Sequence, residues 1–301
     1  MSIKRIFVAV GLAGVLVAAL APLAQAAQVG ARVCIQRDDT PGPQGRLRDA
    51  VERPSVDRLQ GWIAKHPRTA SRAAAAADEP VVIRTWIHVL RENNTVAGGN
   101  VPRRWIDEQM SVLNDSFAGV TGGPDTGFRF ELAGITRTTN ADWFQMHSQG
   151  QDRKMKEALK RGGLRTLNVY TVNHRTLLGY AWLAQEAEKV GVLDGVVVHY
   201  QSLPGGNFEI YSEGDTAVHE IGHWLDLFHT FDGGCNRGDQ VADTAPEASP
   251  AFECPVGRDT CEGGGLDPIR NFMDYTQDSC MFRFSGGQGA RMRQAWAAFR
   301  A

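Results

Sequence analysis

Apolar and β-branched residues run almost unbroken from Val81 to Leu90, the pattern of a strand buried on both faces. The spacing then changes. Ile106, Met110, Leu113 and Phe117 recur at helical intervals, and Pro102 stands where such a helix opens. Phe128, Phe130 and Leu132 alternate with polar residues, which predicts a strand over Gly127–Ala133. A charged helix with Met155 and Leu159 inward follows over Asp152–Lys160, then strands at Thr166–Val172, Leu178–Leu183 and Gly195–Tyr200. The next helix starts at about Asp215. Beyond His229 periodicity fades into Gly, Pro, Asp and Cys, until a last helix from about Gln288 shows Met292, Trp296 and Phe299 as its apolar stripe. This order predicts an α+β domain with a mixed sheet backed by two helices. There is no internal repeat.

The first 78 residues follow different rules. Lys4 and Arg5 precede an apolar run from Ile6 to Ala21, and Ala24-Gln25-Ala26 supplies a small-residue cleavage site. Residues 1–26 therefore read as a secretory signal peptide, the run being short for a membrane span. Residues 27–78 have few large apolar side chains and read as a pro-segment with a linker. A helix is expected over Ser55–His66, capped by Ser55, and the alanine string that follows Thr69 is expected to be the linker. The folded domain is placed at 79–301.

Charge supports that boundary. Residues 1–78 hold 11 of the 32 Lys+Arg and 6 of the 34 Asp+Glu, leaving 21 basic against 28 acidic residues in the remainder. An acidic domain without a basic run argues against nucleic-acid binding and is compatible with calcium sites. A 43% hydrophobic composition over 301 residues is enough for a sizeable core. A secreted, soluble chain is expected, with no membrane attachment after signal cleavage and a monomer as the favoured state.

The chemistry concentrates at His219-Glu220-Ile221-Gly222-His223, followed by His229. Residues four apart share a helical face, so His219 and His223 can aim two imidazoles at one Zn²⁺. His229 would be a third ligand if the helix stops soon after His223 and the chain turns back. A fourth, open position for water marks a catalytic site. Glu220 points beside the metal, where it can take a proton from water. A bare H-E-x-x-H arises by chance in unrelated helices; the third histidine and the downstream Asn271-Phe272-Met273-Asp274-Tyr275, which looks like a Met-turn, argue against that here. His66, His88, His147, His174 and His199 have no partner at ligand spacing and read as surface or core residues.

Cys235, Cys254, Cys261 and Cys280 fall in the irregular region, where cross-links matter most, and four cysteines allow three pairings. Cys34 is left over in the pro-segment. It is either incidental or a thiolate that fills the open zinc position until the segment is removed.

These residues carry a family signature. The chain resembles the pappalysin family of metzincin zinc endopeptidases, and within it secreted fungal and bacterial extracellular metalloproteases. The matching stretches are His219–Phe231, Gly233–Cys235, Asp243-Thr244, Cys254–Cys261, Gly263–Tyr275 and Asp278–Met281, and the similarity reaches back to about Val81. The resemblance implies a twisted five-stranded mixed sheet with a backing helix and an active-site helix above, and an irregular disulfide-linked lower subdomain ending in a helix. It also implies Cys235–Cys261 and Cys254–Cys280 disulfides, Met273 as the floor beneath zinc, Tyr275 as a transition-state donor, Cys34 as a latency switch, and Asp239 with Thr244 in a calcium site. One position departs. The family has glycine three residues after the second histidine, where the chain turns sharply, and this chain has Asp226, a residue type that tolerates the left-handed region.

The reading is a secreted zinc endopeptidase with Glu220 as general base, made latent and acting on protein or peptide substrates laid along the Leu178–Leu183 edge. Its rivals are an inactive binding protein on the same fold and a zinc hydrolase using Glu247 as third ligand. Met281 and Phe282, just after the last cysteine, suggest an apolar pocket for the residue following the cut, with Asp278 as the nearby acid that would reverse that. Sequons stand at Asn93 and Asn114.

Overall fold

The computed structural model describes residues 54–75 and 79–301. The expected signal peptide, Cys34 and residues 76–78 of the expected linker lie outside the described residues.

Two short helices come first, α1 (Arg58–Lys65) and α2 (Pro67–Ala74). Both differ from expectation. The first is capped two residues later than Ser55, by Asp57: one carboxylate oxygen accepts from Leu59 N while the other meets Arg291. The second occupies what reads as linker. Alanine is the best helix former and the smallest side chain, so this helix can lie close against the C-terminal helix. Arg293 donates to the Ala73 and Ala74 carbonyls and Gln294 to that of Ala70. Those tertiary donors, absent from the local pattern, hold the last turn of α2.

The domain proper contains β1 (Val81–Arg91), α3 (Arg103–Phe117), β2 (Phe128–Thr139), α4 (Gln149–Leu159), β3 (Thr166–Val172), β4 (Gly179–Ala181), β5 (Val196–His199), α5 (Asp215–Trp224) and α6 (Gly286–Phe299). The strands form one sheet in the order β2-β1-β3-β5-β4. All neighbours are parallel except β4, which runs antiparallel to β5 at the edge with Gly179 opposite Val198 and Ala181 opposite Val196. β2 extends six residues beyond the alternating stretch. It also bulges: Thr85 pairs Leu132 but Trp86 pairs Gly134. A Cβ at Gly134 would lie 2.5 Å from the Trp86 ring, so the indole requires glycine there.

Helix α3 packs on β2 and on α5, and α5 packs on β4 and β5. Ile83, Ile87, Ile106, Leu113, Phe117, Val196, Val198, Val218 and Ile221 all belong to the core between them. A polar pair sits inside the sheet: His88 bonds Asn168 and stacks on Tyr170.

Below α5, residues 225–285 hold only one turn of helix, at Gly234–Arg237. Cross-links substitute for periodic structure. Disulfides join Cys235 to Cys261 and Cys254 to Cys280. The Arg258 guanidinium gathers Glu247, Asp267 and the Ser249 carbonyl. Helix α6 opens with a capping box between Ser285 and Gln288 and ends at Arg300, which is buried over the Trp224 ring and paired with Asp194. The chain end is thereby pinned beneath the last residue of α5. No helix among the described residues is long and apolar enough to cross a membrane.

Candidate metal centre

Helix α5 is buried along its whole length, so its polar side chains are held by neighbours and not by solvent. His219 Nδ1 lies 2.6 Å from the Phe272 carbonyl and His223 Nδ1 2.8 Å from the Leu227 carbonyl. A carbonyl only accepts, so both Nδ1 atoms carry the proton and both Nε2 atoms present lone pairs. His229 Nδ1 faces Asp232 Oδ2 at 3.3 Å. The three Nε2 atoms converge: that of His223 is 3.1 Å from each of the other two. Three buried lone pairs facing one another repel unless a cation sits between them. A tetrahedral zinc about 2.0–2.1 Å from each nitrogen sets them roughly 3.3 Å apart, close to what is found. Among the described residues this is the one group of three or more His, Cys, Asp or Glu side chains gathered closely enough to hold a metal ion. The carbonyls and Asp232 around it are the outer partners that fix ligand orientation.

The turn that brings His229 back is a Schellman motif. Asp226 N bonds the His223 carbonyl and Leu227 N bonds the Gly222 carbonyl, while Asp226 takes φ +81°. Aspartate thus occupies the left-handed position where glycine is usual. Its carboxylate is buried, which pushes its pKa up to about 6 against the pull of Arg291.

Glu220 is fully buried, and its carboxylate lies against Gly179 of β4. Met273 is buried with its sulfur on Gly222; a Cβ there would be 2.4 Å from the sulfur, so the small residue lets the turn at 271–275 approach the helix. Thr230 N bonds the Met273 carbonyl and ties the same turn to the segment after His229. The Tyr275 hydroxyl is 3.4 Å from His229 Nε2, and Phe231 stacks on the His229 ring.

Asp239 and Thr244 are bonded to each other, Thr244 Oγ1 donating to Asp239 Oδ1 at 2.6 Å. The other oxygen, Oδ2, is buried with no hydrogen-bond partner among the described residues. Burial pushes this carboxyl up to about 7. An orphaned, buried carboxylate oxygen beside a hydroxyl suits a hard cation such as calcium. Glu247 is not with the histidines; it accepts from Thr230 and Arg258.

Of the residues after the last cysteine, Met281 lies in the core, while Phe282 packs on Gly122 and under Arg270. Asp278 accepts from Glu213 N. The pattern of residues along the chain offered Asp232 only as one of the loop's oxygen ligands and not as the partner of His229, and it missed Phe231 and Gly179. An acid three residues after a ligand histidine was a legible signal for Asp232. Gly179 carried none, because its role depends on strand pairing.

The sequence profile of the peptidase M43 family, described as pregnancy-associated plasma protein-A, matches residues 164–297. The chain is 42% identical over 236 residues to Extracellular metalloprotease 1 of Coccidioides posadasii, covering 77% of this chain and 82% of that one. It is 39% identical over 290 residues to an extracellular metalloprotease of Verticillium alfalfae, covering 93% and 95%. Among solved structures, a point mutant of Tannerella forsythia promirolysin matches with a TM-score of 0.69 at 27% identity, covering 84% of this chain and 95% of that one. Mature mirolysin of the same organism, in complex with a cleaved peptide, matches with a TM-score of 0.63 at 29% identity, covering 75% and 100%.

Proposed function

The chain belongs to the pappalysin (peptidase M43) family of metzincin metalloproteases, and from that premise we propose that it is a secreted zinc endopeptidase made as a latent precursor. The observation that carries the reading is the convergence of the His219, His223 and His229 Nε2 lone pairs beside the buried Glu220. These three histidines hold zinc. When bound, zinc supplies a Lewis acid for the scissile carbonyl and acidifies water. Glu220 takes a proton from the attacking water and delivers it to the departing amine nitrogen, while the Tyr275 hydroxyl donates to the developing oxyanion. Met273 forms the floor through its contact with Gly222. An extended protein or peptide segment pairs with the free edge of β4, the strand that ends the sheet. The cleaved peptide in the mirolysin complex supports such a substrate.

Residues 1–26 direct export, 27–78 form the pro-segment and 79–301 the catalytic domain. The extracellular metalloproteases among its relatives support export. The larger share of this chain covered by promirolysin than by the mature form, 84% against 75%, supports a pro-segment. Cys34 holds the zinc site closed in the latent form. Asp239 and Thr244 form part of a calcium site.

The test compares Glu220→Ala with the parent after secretion. Metal content by mass spectrometry should stay at one zinc per chain while cleavage of a denatured protein library is lost. Loss of the zinc, or near-normal cleavage, would sink the assigned role. Tyr275→Phe should cost less, about 10- to 1000-fold in kcat.

A further inference from the structure

The left-handed turn between His223 and His229 is held from outside the motif. Arg291, in α6, reaches Asp226 twice: its Nε donates to the Asp226 carbonyl at 2.7 Å and its Nη2 to the Asp226 carboxylate at 2.9 Å. Gln185 closes the other side, its backbone N donating to Oδ1 and its side-chain amide to Oδ2. Both charged groups are buried, Asp226 wholly and Arg291 to within 4%. The guanidinium lies 4.4 Å over the Phe228 ring, and its remaining Nη1 meets Asp57, the cap of α1. One arginine therefore pins both the backbone and the side chain of the residue midway between two converging histidines.

The placement matters because the neighbours of Asp226 do the orienting. Leu227, the next residue, offers the carbonyl that receives the His223 Nδ1 proton. His229 follows two residues later. Glycine takes this conformation at no steric cost, whereas aspartate is strained there and is retained only where its surroundings over-determine it. A buried carboxylate also needs a paired cation. Arg291 meets both needs with one planar fork, which lysine cannot imitate.

We propose that Arg291 and Asp226 form a positioning pair that stands in for the glycine of the family motif, so that zinc affinity in this chain depends on a side chain of the C-terminal helix. The proposal rests on the reading of His229 as a zinc ligand. Asp226 and Arg291 touch neither substrate nor metal; they act through His223 and His229.

The experiment uses the secreted full-length chain, in which Asp57 is present, and measures zinc affinity by chelator competition, the visible spectrum after cobalt substitution, and Tm. Arg291→Gln strands the buried carboxylate at the turn. Its zinc affinity should fall about 10- to 100-fold, the range typical of outer-partner loss, with an altered cobalt spectrum. The double variant Asp226→Gly, Arg291→Gln restores the glycine and removes the stranded charge. Its affinity should return to within about threefold of the parent, as expected where the two residues act as one unit. Wild-type affinity and spectrum in Arg291→Gln, with only Tm lowered, would reduce the pair to a structural brace and overturn the proposal; so would a double variant as weak as the single. Should Arg291→Gln not fold, Arg291→Lys replaces it with the same two outcomes. His229→Ala separates this from the underlying reading: undiminished zinc binding there would show that His229 is not a ligand.

Discussion

Gly179 and Glu220 are in contact across the edge of the sheet: a Cβ added at 179 would lie 2.5 Å from Glu220 Oε1 and 2.6 Å from its Cγ. The strand proposed to offer its edge to a substrate is thus also the wall against which the proposed general base is set. Gly179→Ala should displace the far end of the Glu220 side chain and leave the backbone in place. Kcat should fall about 100-fold, the cost of a misplacement of roughly 1 Å, while zinc content and Tm stay near the parent. Unchanged kcat would mean that Glu220 tolerates a different position.

Latency is tested at Cys34. The precursor of Cys34→Ala should cleave substrate before processing, whereas the parent precursor should not. Arg68 and Arg72 lie within α2, which is held by Arg293 and Gln294. A cut near these arginines, which would release the segment carrying Cys34, requires that helix to unwind. A Cys34→Ala precursor as inactive as the parent would leave obstruction by bulk as the cause of latency.

Calcium and protons should compete at Asp239. Its carboxyl is raised from the usual range to about 7 by burial. A raised carboxylate pKa contributes stability that is complete below about 3.9 and lost as pH rises through 7. A bound cation reverses that loss. Excess Ca²⁺ should therefore raise Tm of the zinc-loaded enzyme more at pH 8 than at pH 5.5. An equal or absent effect at both values would exclude Asp239 as the ligand.

His88 should make the sheet acid-sensitive. It is fully buried in β1, with Nε2 at 2.9 Å from Asn168 Oδ1 and Nδ1 at 2.8 Å from Thr136 Oγ1. Burial, aided by Arg161 and opposed by the Asn168 bond, lowers its pKa from 6.5 to about 4. The unfolded chain then binds a proton that the folded chain refuses. Stability present above pH 6.5 is lost as pH falls through 4, by up to about 3 kcal/mol. Urea unfolding at pH 7 and pH 4.5 checks this: the gap in stability between the parent and His88→Gln should narrow at the lower pH. A gap independent of pH would mean that His88 titrates normally.

Much of the molecule was legible in the order of residues, and for a local reason. The four-residue spacing of His219 and His223 places both on one helical face whatever the rest of the chain does, and the alternation or run of apolar residues assigns β1, β3 and β5 by the same kind of short-range rule. The family resemblance of the Cys254–Cys280 stretch supplied a disulfide pairing that spacing alone left open. Other features needed the folded chain. Ser55 and Asp57 are both capping residues, and only Arg291, far along the chain, selects Asp57. Residues 67–74, at the start of the expected linker, are a helix because α6 lies against them. Gly179 reaches Glu220 only once β4 pairs antiparallel with β5. The Nδ1 partners that turn three imidazoles toward one point are carbonyls and an acid on separate segments, and Asp226 holds a glycine's place because Arg291 arrives from α6. Short-range periodicity is written in neighbouring residues, whereas a buried charge or a close contact is decided by what packs against it, and that is set only when distant segments meet.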